Sequence, residues 1–542
     1  MTIGNTGNKQ HVCRPQCVAA TLLLAAAVQT ANAGEPGEVK LDGFLRQEFS
    51  WNTANWKDTP NYNDRGKLSM ARSTARINID WTPVRDVSVV TKLRAVGEAK
   101  TSFLNHLEKM GAYNYGSTSG RGDIMALYNK NDISDVIREM YVDFPVSERV
   151  RLRLGKQQVV WGETDFFAAN DLVHGFDYTW RSFLEPANEE LRKASIIAKM
   201  NVDVPELDGG VEMFVRPGWD RKSDIGNELD VYGGRWSSQS VVGVDFRNID
   251  PYDFRNPKGD SRKVTGGVRW TGLAKDVNYS VSYLKTYWNN PLLNAASTLK
   301  LFGLPGVSSG VATLGRPNSL GVAGDLIYPT VDVFGATASG YAAWADAVFS
   351  TEVAFIKDAP YQFQNGALAG PLSQAVAPGF DGIKRKDLVA WMVRMDKNIA
   401  ATQEWLGTEK PMFFSVQLFD KWLMDYDKGE RLLNAVGAGQ LTKEHSLLLT
   451  AIFDLSYDSG RVKPNLVVGT DLTYAGGFIV PSVTMELNKN WRWKVEYDKF
   501  WNDEHRDLNK CPAGNVAVCD SASLFGYFHK RDQLYTSLTY LF

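Results

Sequence analysis

Apolar and polar positions of this chain alternate with a period of two over many short stretches. In "ARSTARINIDW", Ala71, Ala75 and Ile79 fall on one face, and Arg72 and Arg76 fall on the other. Such alternation is typical of a β-strand with one face in an apolar and one in a polar environment. "TPVRD" then predicts a turn because proline cannot continue a ladder, and "VSVVTKLRAVGE" returns with the same alternation.

This hairpin pattern recurs along the chain and predicts about 18 strands. The alternative is 16, since bacterial barrels have even strand numbers. The final stretch "QLYTSLTYLF" places Leu534, Thr536, Leu538, Tyr540 and Phe542 on one face. We expect an apolar phase outside the protein, such as a bilayer, to cover a face that ends in a bare phenylalanine.

Connections between the predicted strands alternate between tight turns and long segments, among them 99–134, 163–190, 218–261, 289–328 and 357–385. Short turns at one end and long loops at the other are typical of outer-membrane barrels. A soluble β-sandwich would also alternate, but it would not explain aromatic residues at strand ends, where interface girdles form. These are Trp51, Trp81, Trp288, Trp422, Trp491, Trp501 and Tyr540. The sequence therefore predicts an all-β, transmembrane, antiparallel up-and-down β-barrel with long extracellular loops and short periplasmic turns.

Residues 1–33 have the pattern of a cleaved export signal. Lys9 and Arg14 precede the apolar stretch "CVAATLLLAAAVQT", and "ANA" precedes Gly34. The alternative, a short N-terminal membrane anchor, is disfavoured because the apolar run is brief and a cleavage pattern follows it. We expect residues 34–542 to form one barrel in the outer membrane of a Gram-negative cell.

Composition and charge agree with a barrel and exclude other classes. Mean hydropathy is −0.27, yet 12% of residues are aromatic, as expected when one barrel face is apolar and the other polar. The formal net charge of −2 gives no basic signature for nucleic acid. No zinc-ligand spacing occurs, so neither a metal nor a cofactor is predicted. Cys511 and Cys519, in "NKCPAGNVAVCD", are expected to form a disulfide within an outward-facing loop.

Charged residues on the polar face of the early strands are candidates to line the lumen. An Arg or Lys facing lipid at the bilayer midplane costs roughly 2–4 kcal/mol, so these side chains should point inward. A basic wall of this kind could attract anionic groups, or it could be an internal salt-bridge network that braces the barrel. The candidates are Arg72, Arg76, Lys92, Arg94, Arg151 and Arg153, with Glu139 and Asp143 between them. Lys193, Lys199, Arg492, Lys494, Glu496 and Asp498 repeat the pattern.

Catalysis and adhesion are weaker alternatives. His174 with Asp171, or His445 with Glu444, could act as base and orienter. No serine-nucleophile signature accompanies them, since "GSTSG" has Thr118 at its centre, and we predict no enzyme. The tripeptide "RGD" at 121–123 suggests adhesion, but such a short match arises often by chance.

The stretch "LGKQQVVWGETDFFAANDLVHGFDYTW" with the upstream "REMYVDFP" resembles the proteobacterial outer-membrane family of domain of unknown function 1302. The matching residues are Gly155, Gln157, Gln158, Trp161, Gly162 and Glu163. Lys156 stands where the family would have arginine, which keeps the charge but loses a bidentate fork. The resemblance implies a transport barrel for hydrophobic or steroid-like compounds, with a resistance-nodulation-division exporter as a candidate partner.

These observations together predict a channel or conduit for small solutes that are amphipathic, hydrophobic or anionic. A barrel enzyme hydrolysing lipid or peptide, and an adhesion or structural barrel with an occluded lumen, are the alternatives. Leu538, Tyr540 and Phe542 resemble the signal read by the barrel-assembly machinery. Outer-membrane lipid, that machinery and the solute are the expected partners, and the oligomeric state is left open.

Overall fold

A computed structural model describes most of the chain. The described residues are 37–55, 62–109, 124–129, 131–162, 167, 169–179, 188–220, 222–227, 263–290, 292–293, 317–318, 321–322, 326–363, 383–433, 441–502, 525, 528 and 530–542. The export signal at 1–33, the "RGD" tripeptide, Glu163, Cys511 and Cys519 lie outside them. The expectations for those residues stay predictions.

Eighteen long antiparallel strands form the wall within the described residues. They are β1 Val39–Asn52, β2 Leu68–Val84, β3 Val87–Glu98, β4 Ile137–Pro145, β5 Val150–Gln157, β6 Ser195–Val204, β7 Gly209–Arg216, β8 Thr265–Ala274, β9 Val277–Tyr287, β10 Thr330–Ala342, β11 Ala347–Phe363, β12 Ile383–Ile399, β13 Met412–Leu423, β14 Leu448–Asp454, β15 Val462–Asp471, β16 Gly476–Glu486, β17 Trp491–Asn502 and β18 Gln533–Leu541. Each pairs with its neighbour, and β1 pairs with β18 from Phe44↔Leu541 to Asn52↔Gln533. The barrel is closed, the predicted 18 strands are confirmed, and the alternative of 16 is wrong.

The register of the wall separates the two faces as the sequence pattern predicts. Glu48 lies opposite Arg72 on the lumen side of β1 and β2, and Phe49 lies opposite Ala71 on the outer side. In β18, Leu534 and Leu538 are each 40% exposed on the outer face, as expected for side chains that contact lipid.

The two ends of the barrel differ in their connections. Lys275 and Asp276, both with positive φ, join β8 to β9 in a two-residue turn of the type that matches strand twist. The other connections at this end are also short, the longest being 400–411 between β12 and β13. At the opposite end the connections are long, except that only residues 472–475 join β15 to β16.

Short elements occupy the connections. The helices are α1 Ser102–Lys109, α2 Ile133–Val136, α3 Asn188–Leu191, α4 Lys222–Ile225 and α5 Thr402–Trp405, with 3₁₀ turns at Ile124–Leu127, Pro205–Leu207 and Lys428–Glu430. Leu292–Leu293 pairs with Leu326–Ile327, and Pro317–Asn318 pairs with Gly321–Val322. Leu432–Leu433 pairs antiparallel with Gln362 and Phe363 at the end of β11. None of the helices in the described ranges has the length and apolarity that a membrane crossing requires.

Candidate functional site

One connection runs through the interior of the barrel, and we call it the crossing segment. It comprises the described residues between 158 and 194, which link β5 to β6. The backbone N–H of Asn170 donates to Glu352 Oε2 on β11 at 3.0 Å. The ring of Phe167 meets Phe419 on β13 edge to face, with 5.9 Å between centroids. Since β13 lies eight strands from β5, the segment reaches the far wall.

The residues that carry the family resemblance form the root of this segment. Gly155 has φ +136, and a Cβ added to it would lie 2.3 Å from the carbonyl oxygen of Met140, so only glycine fits. Two residues later β5 ends, and Gln157 Nε2 donates to the carbonyl oxygen of Ile197 at 3.0 Å. Gln158 Nε2 donates to the carbonyl oxygen of Glu189 at 3.1 Å. The motif therefore turns the chain inward and ties both ends of the segment together.

Trp161 anchors the segment against the wall of β7 and β8. Its Nε1 donates to Glu212 Oε1 at 2.5 Å, and its ring meets Phe214 edge to face at 5.2 Å. The ring fits because Gly267 has no Cβ, which would lie 2.6 Å from it. A Cβ added to Gly162 would lie 2.8 Å from Asp171 Cβ, so a side chain there would clash. Lys156 makes a different contact, donating through Nζ to the carbonyl oxygen of Ser134 at 2.7 Å.

Helix α3 of the crossing segment docks on the basic wall of β2, β3 and β4. Glu189 Oε1 lies 2.6 Å from Arg76 Nη2 and 2.8 Å from Lys92 Nζ. Glu190 Oε1 lies 2.5 Å from Arg76 Nη1, and Arg94 Nη1 donates to the carbonyl oxygen of Glu190 at 2.7 Å. Arg138 Nη2 also donates to the carbonyl oxygens of Glu190 and Arg192, at 3.1 and 2.7 Å. The carboxylates of Glu189 and Glu190 and the backbone carbonyl groups of Glu190 and Arg192 thus hold the helix to the wall.

The structure places the other predicted basic residues of the wall strands on the lumen face as well, with carboxylate partners. Lys193 instead lies in the crossing segment, where its backbone N–H donates to the carbonyl oxygen of Gly175 at 2.9 Å. Arg72 Nη2 lies 2.7 Å from Glu98 Oε2, and both side chains are buried. Asp143 accepts from Arg151 at 2.7 Å and from Arg153 at 2.8 Å. Glu139 pairs with Lys92, Glu212 with Lys199, Glu496 with Lys494, and Glu486 with Arg492. This pairing matches the bracing interpretation of the wall, and the selectivity role stays a prediction.

Part of the opposite lumen wall is apolar, although the ion pairs Arg394–Asp396 and Lys494–Glu496 lie on strands of the same wall. Ala390, Met392 and Phe419 pack with Ala169 of the crossing segment, and Phe167 packs against them. A neighbouring cluster, which also contacts Phe167, consists of Ile452, Val467, Phe478, Val480, Phe500, Phe525 and Phe528. Inward positions of a water-filled barrel are expected to be polar, so these side chains distinguish their part of the β12–β17 wall from the β1–β5 wall.

The environment of the crossing segment shifts the pKa values of its own titratable groups. Burial disfavours ionisation of Glu189, but the hydrogen bond from Lys92 and the charge of Arg76 outweigh it and lower the pKa of Glu189 to about 2. Burial raises the pKa of Asp171 despite its pairing with Arg192. Burial, with the nearby charges of Arg216 and Arg192, lowers the pKa of His174. His174 is therefore neutral at ordinary pH.

Neither histidine forms the base-and-orienter pair proposed from sequence. Nε2 of His174 accepts from the backbone N–H of Val159 at 2.8 Å, while Asp171 pairs with Arg192 instead. His445 Nδ1 lies 2.7 Å from Asp420 Oδ2, so Asp420 takes the place proposed for Glu444. Trp422 stacks on the His445 ring. Over the described ranges, no group of three or more His, Cys, Asp or Glu residues is arranged to hold a metal ion.

Sequence reasoning missed the two residues that clamp the crossing segment, Glu189 and Glu190. The sequence signal is the acidic pair in "ANEELRK", which stands in a long connection just before the basic Arg192 and Lys193. The apolar lumen wall was missed as well, although Met392, Phe419 and Phe478 break the expected inward-polar alternation.

Comparisons with solved structures return outer-membrane proteins of low identity. OccAB1 of Acinetobacter baumannii is 9% identical, with 95% of this chain and 99% of that chain covered and a TM-score of 0.44. OccAB3 of the same organism is 8% identical, with coverages of 93% and 99% and a TM-score of 0.42. The outer membrane channel DcaP of Acinetobacter baumannii is 10% identical, with coverages of 94% and 99% and a TM-score of 0.36. These similarities are too low to carry a functional argument.

Nearly the whole chain matches one family model. A comparison with curated proteins found no match to this chain. The matched residues, 14–542, include the entire wall and the crossing segment with its root motif. The family resemblance seen at Gly155 to Gly162 is thereby confirmed over the full barrel. The chain belongs to the family described as proteins of unknown function, DUF1302.

Proposed function

We propose that this outer-membrane barrel is a channel for small solutes with an apolar body, and that the crossing segment forms its constriction. The export signal at 1–33 delivers the chain, and the solute passes beside the contact between the crossing segment and the β12–β17 wall. An exporter of the resistance-nodulation-division type is a candidate partner on the short-turn side.

The observation that carries this proposal is the apolar lining at the constriction. Phe167 of the crossing segment lies against Phe419 and between two apolar clusters of the wall. Burying apolar surface stabilises by about 25 cal/mol per Å², so an apolar solute gains more there than a sugar or an ion does. A passage for hydrophilic solutes would have polar groups at its narrowest level.

Single-channel recording with two solutes of similar size tests the proposal. The purified full-length barrel is reconstituted in planar bilayers, and indole or arabinose is added to one side. We expect indole to interrupt the current at concentrations where arabinose does not. Phe167→Ala and Phe419→Ala should shorten the interruptions by up to about tenfold, since an aromatic contact contributes about 0.5–1.5 kcal/mol.

Phe334→Ala is the matched control, because Phe334 is 49% exposed on the outer face of β10. It should leave the interruptions unchanged. A barrel that conducts nothing, or one that responds equally to indole and arabinose, contradicts the proposal. The first of these results would favour a structural barrel with an occluded lumen.

A further inference from the structure

We propose that Arg76 and Lys92 form a binding site for the anionic group of a solute, and that Glu189 occupies this site as a tethered competitor. The proposal rests on the proposed function, which it refines from an apolar solute to an amphipathic anion. It assigns the anion site to two residues of the basic wall and separates them from the remaining lumen cations.

The geometry of Glu189 resembles that of a bound carboxylate. Its Oε1 lies 2.6 Å from Arg76 Nη2 and 2.8 Å from Lys92 Nζ, distances typical of charge-assisted hydrogen bonds. This one oxygen accepts hydrogen bonds from both cations. Glu189 comes from the crossing segment, whereas the two cations lie on β2 and β3 of the wall.

Exposure singles out Glu189 among the carboxylates of this cluster. Its side chain is 44% exposed, while the side chains of Glu190 and Glu139 are 5% and 6% exposed. Lys92 itself is 25% exposed. A solute in the lumen therefore has access to Glu189 and Lys92, but not to the two buried carboxylates that hold the cations in place.

Charge balance favours replacement of Glu189 by another monoanion. Without Glu189, Arg76 keeps its ion pair with Glu190 and Lys92 keeps its ion pair with Glu139, but the cluster has one negative charge fewer. An unpaired charge in a passage with low-dielectric walls attracts counter-ions strongly. By contrast, Arg151 and Arg153 share Asp143 on the wall, where no residue of the crossing segment competes.

A buried apolar cluster holds helix α3 at the site, and the apolar body of the solute follows from the proposed function. Val96 follows Lys92 and Arg94 on the same face of β3, and it packs with Phe176 and Leu191 of the crossing segment. Leu191 is two residues from Glu189 on α3. The cluster is buried, so it keeps α3 against the wall when the Glu189 carboxylate is replaced.

Benzoate and benzyl alcohol are the probes, because they share a ring and differ in charge. Binding to the purified full-length barrel in detergent is measured by isothermal titration calorimetry, which does not depend on conduction. Glu189→Gln should bind benzoate about tenfold more tightly than wild type, the gain expected when one charged competitor is removed. Benzyl alcohol should bind both proteins equally, and adding Lys92→Gln to Glu189→Gln should reverse the gain.

Glu486→Gln is the matched control, since Glu486 also pairs with two lumen cations, Lys463 and Arg492, but lies at the end of β16. It should leave benzoate affinity at the wild-type value. The inference is overturned if Glu189→Gln does not raise benzoate affinity, or if Glu486→Gln raises it equally. If Glu189→Gln binds benzoate as expected but indole never interrupts the current, the proposed channel is contradicted and the anion site is not.

Discussion

At the scale of single residues, the conformation of Gly155 decides where β5 leaves the wall. Gly155→Ala should destabilise the folded barrel by about 1–3 kcal/mol, because its φ of +136 is nearly restricted to glycine and the new Cβ would press on the Met140 carbonyl oxygen. Urea unfolding of the refolded barrel measures the loss. Gly97→Ala is the control, since nothing lies within 4 Å of a Cβ there. Equal stability of the two variants would contradict this account.

Glu189 makes the stability of the folded barrel depend on pH, and its contribution decreases as pH falls. Its pKa is about 2 in the folded protein and 4.5 as an ordinary value, so its ion pairs stabilise the fold fully above about pH 4.5. This contribution is lost as pH falls from about 4.5 towards 2. We therefore expect the stability difference between wild type and Glu189→Gln to shrink over that window, as measured by urea midpoints. A difference that stays constant down to pH 2 would show that the ion pairs do not hold the segment.

At the scale of structural elements, the crossing segment depends on the hydrogen bond of Trp161. Trp161→Phe keeps the ring packing on Phe214 but loses donation to the Glu212 carboxylate, which should destabilise by about 1.5–3 kcal/mol. Trp493→Phe loses a neutral bond to Thr536 on the outer face and should cost about 0.5–1.5 kcal/mol. Both are measured by urea unfolding. In addition, only Trp161→Phe should speed proteolytic cleavage between 158 and 194.

The strands were predictable from sequence because their alternation is a local property. In β2, every second side chain from Arg72 to Asp80 faces the lumen, as the pattern alone indicates. The path of the crossing segment was not predictable, since it depends on contacts such as Asn170 with Glu352, which are 182 positions apart. The basic wall was predictable for the same local reason. Its pairing with Glu189 and Glu190 was not, because these residues are 113 and 114 positions from Arg76 along the chain.

At the scale of the whole molecule, the C-terminal strand closes the barrel and carries the predicted assembly signal. The N–H and carbonyl groups of Phe542 are both bonded to Gly43 at 3.2 Å, and these bonds do not depend on the side chain. Phe542→Asp should therefore lower the amount of barrel in the outer membrane more than it lowers the stability of assembled protein. Heat-modifiability on gels and abundance in outer-membrane fractions measure the two effects.

Phe542→Tyr is the control, because it keeps an aromatic ring near Tyr540, whose centroid lies 6.4 Å from that of Phe542. It should assemble normally. Normal abundance of heat-modifiable Phe542→Asp would refute the recognition role and leave Phe542 as an interface anchor.

The pairing of β1 with β18 also dictates the order of events in time. Glu48 and Tyr535 are hydrogen-bonded although 487 positions separate them, so the seam is among the last contacts that the chain can make. Until then, β1 and the last strand formed each present an unpaired edge, and such edges readily join other chains. We therefore expect folding intermediates with two open edges to associate readily with other chains, and the yield of closed barrel to rise under any condition that shields both edges until the two ends of the sheet meet.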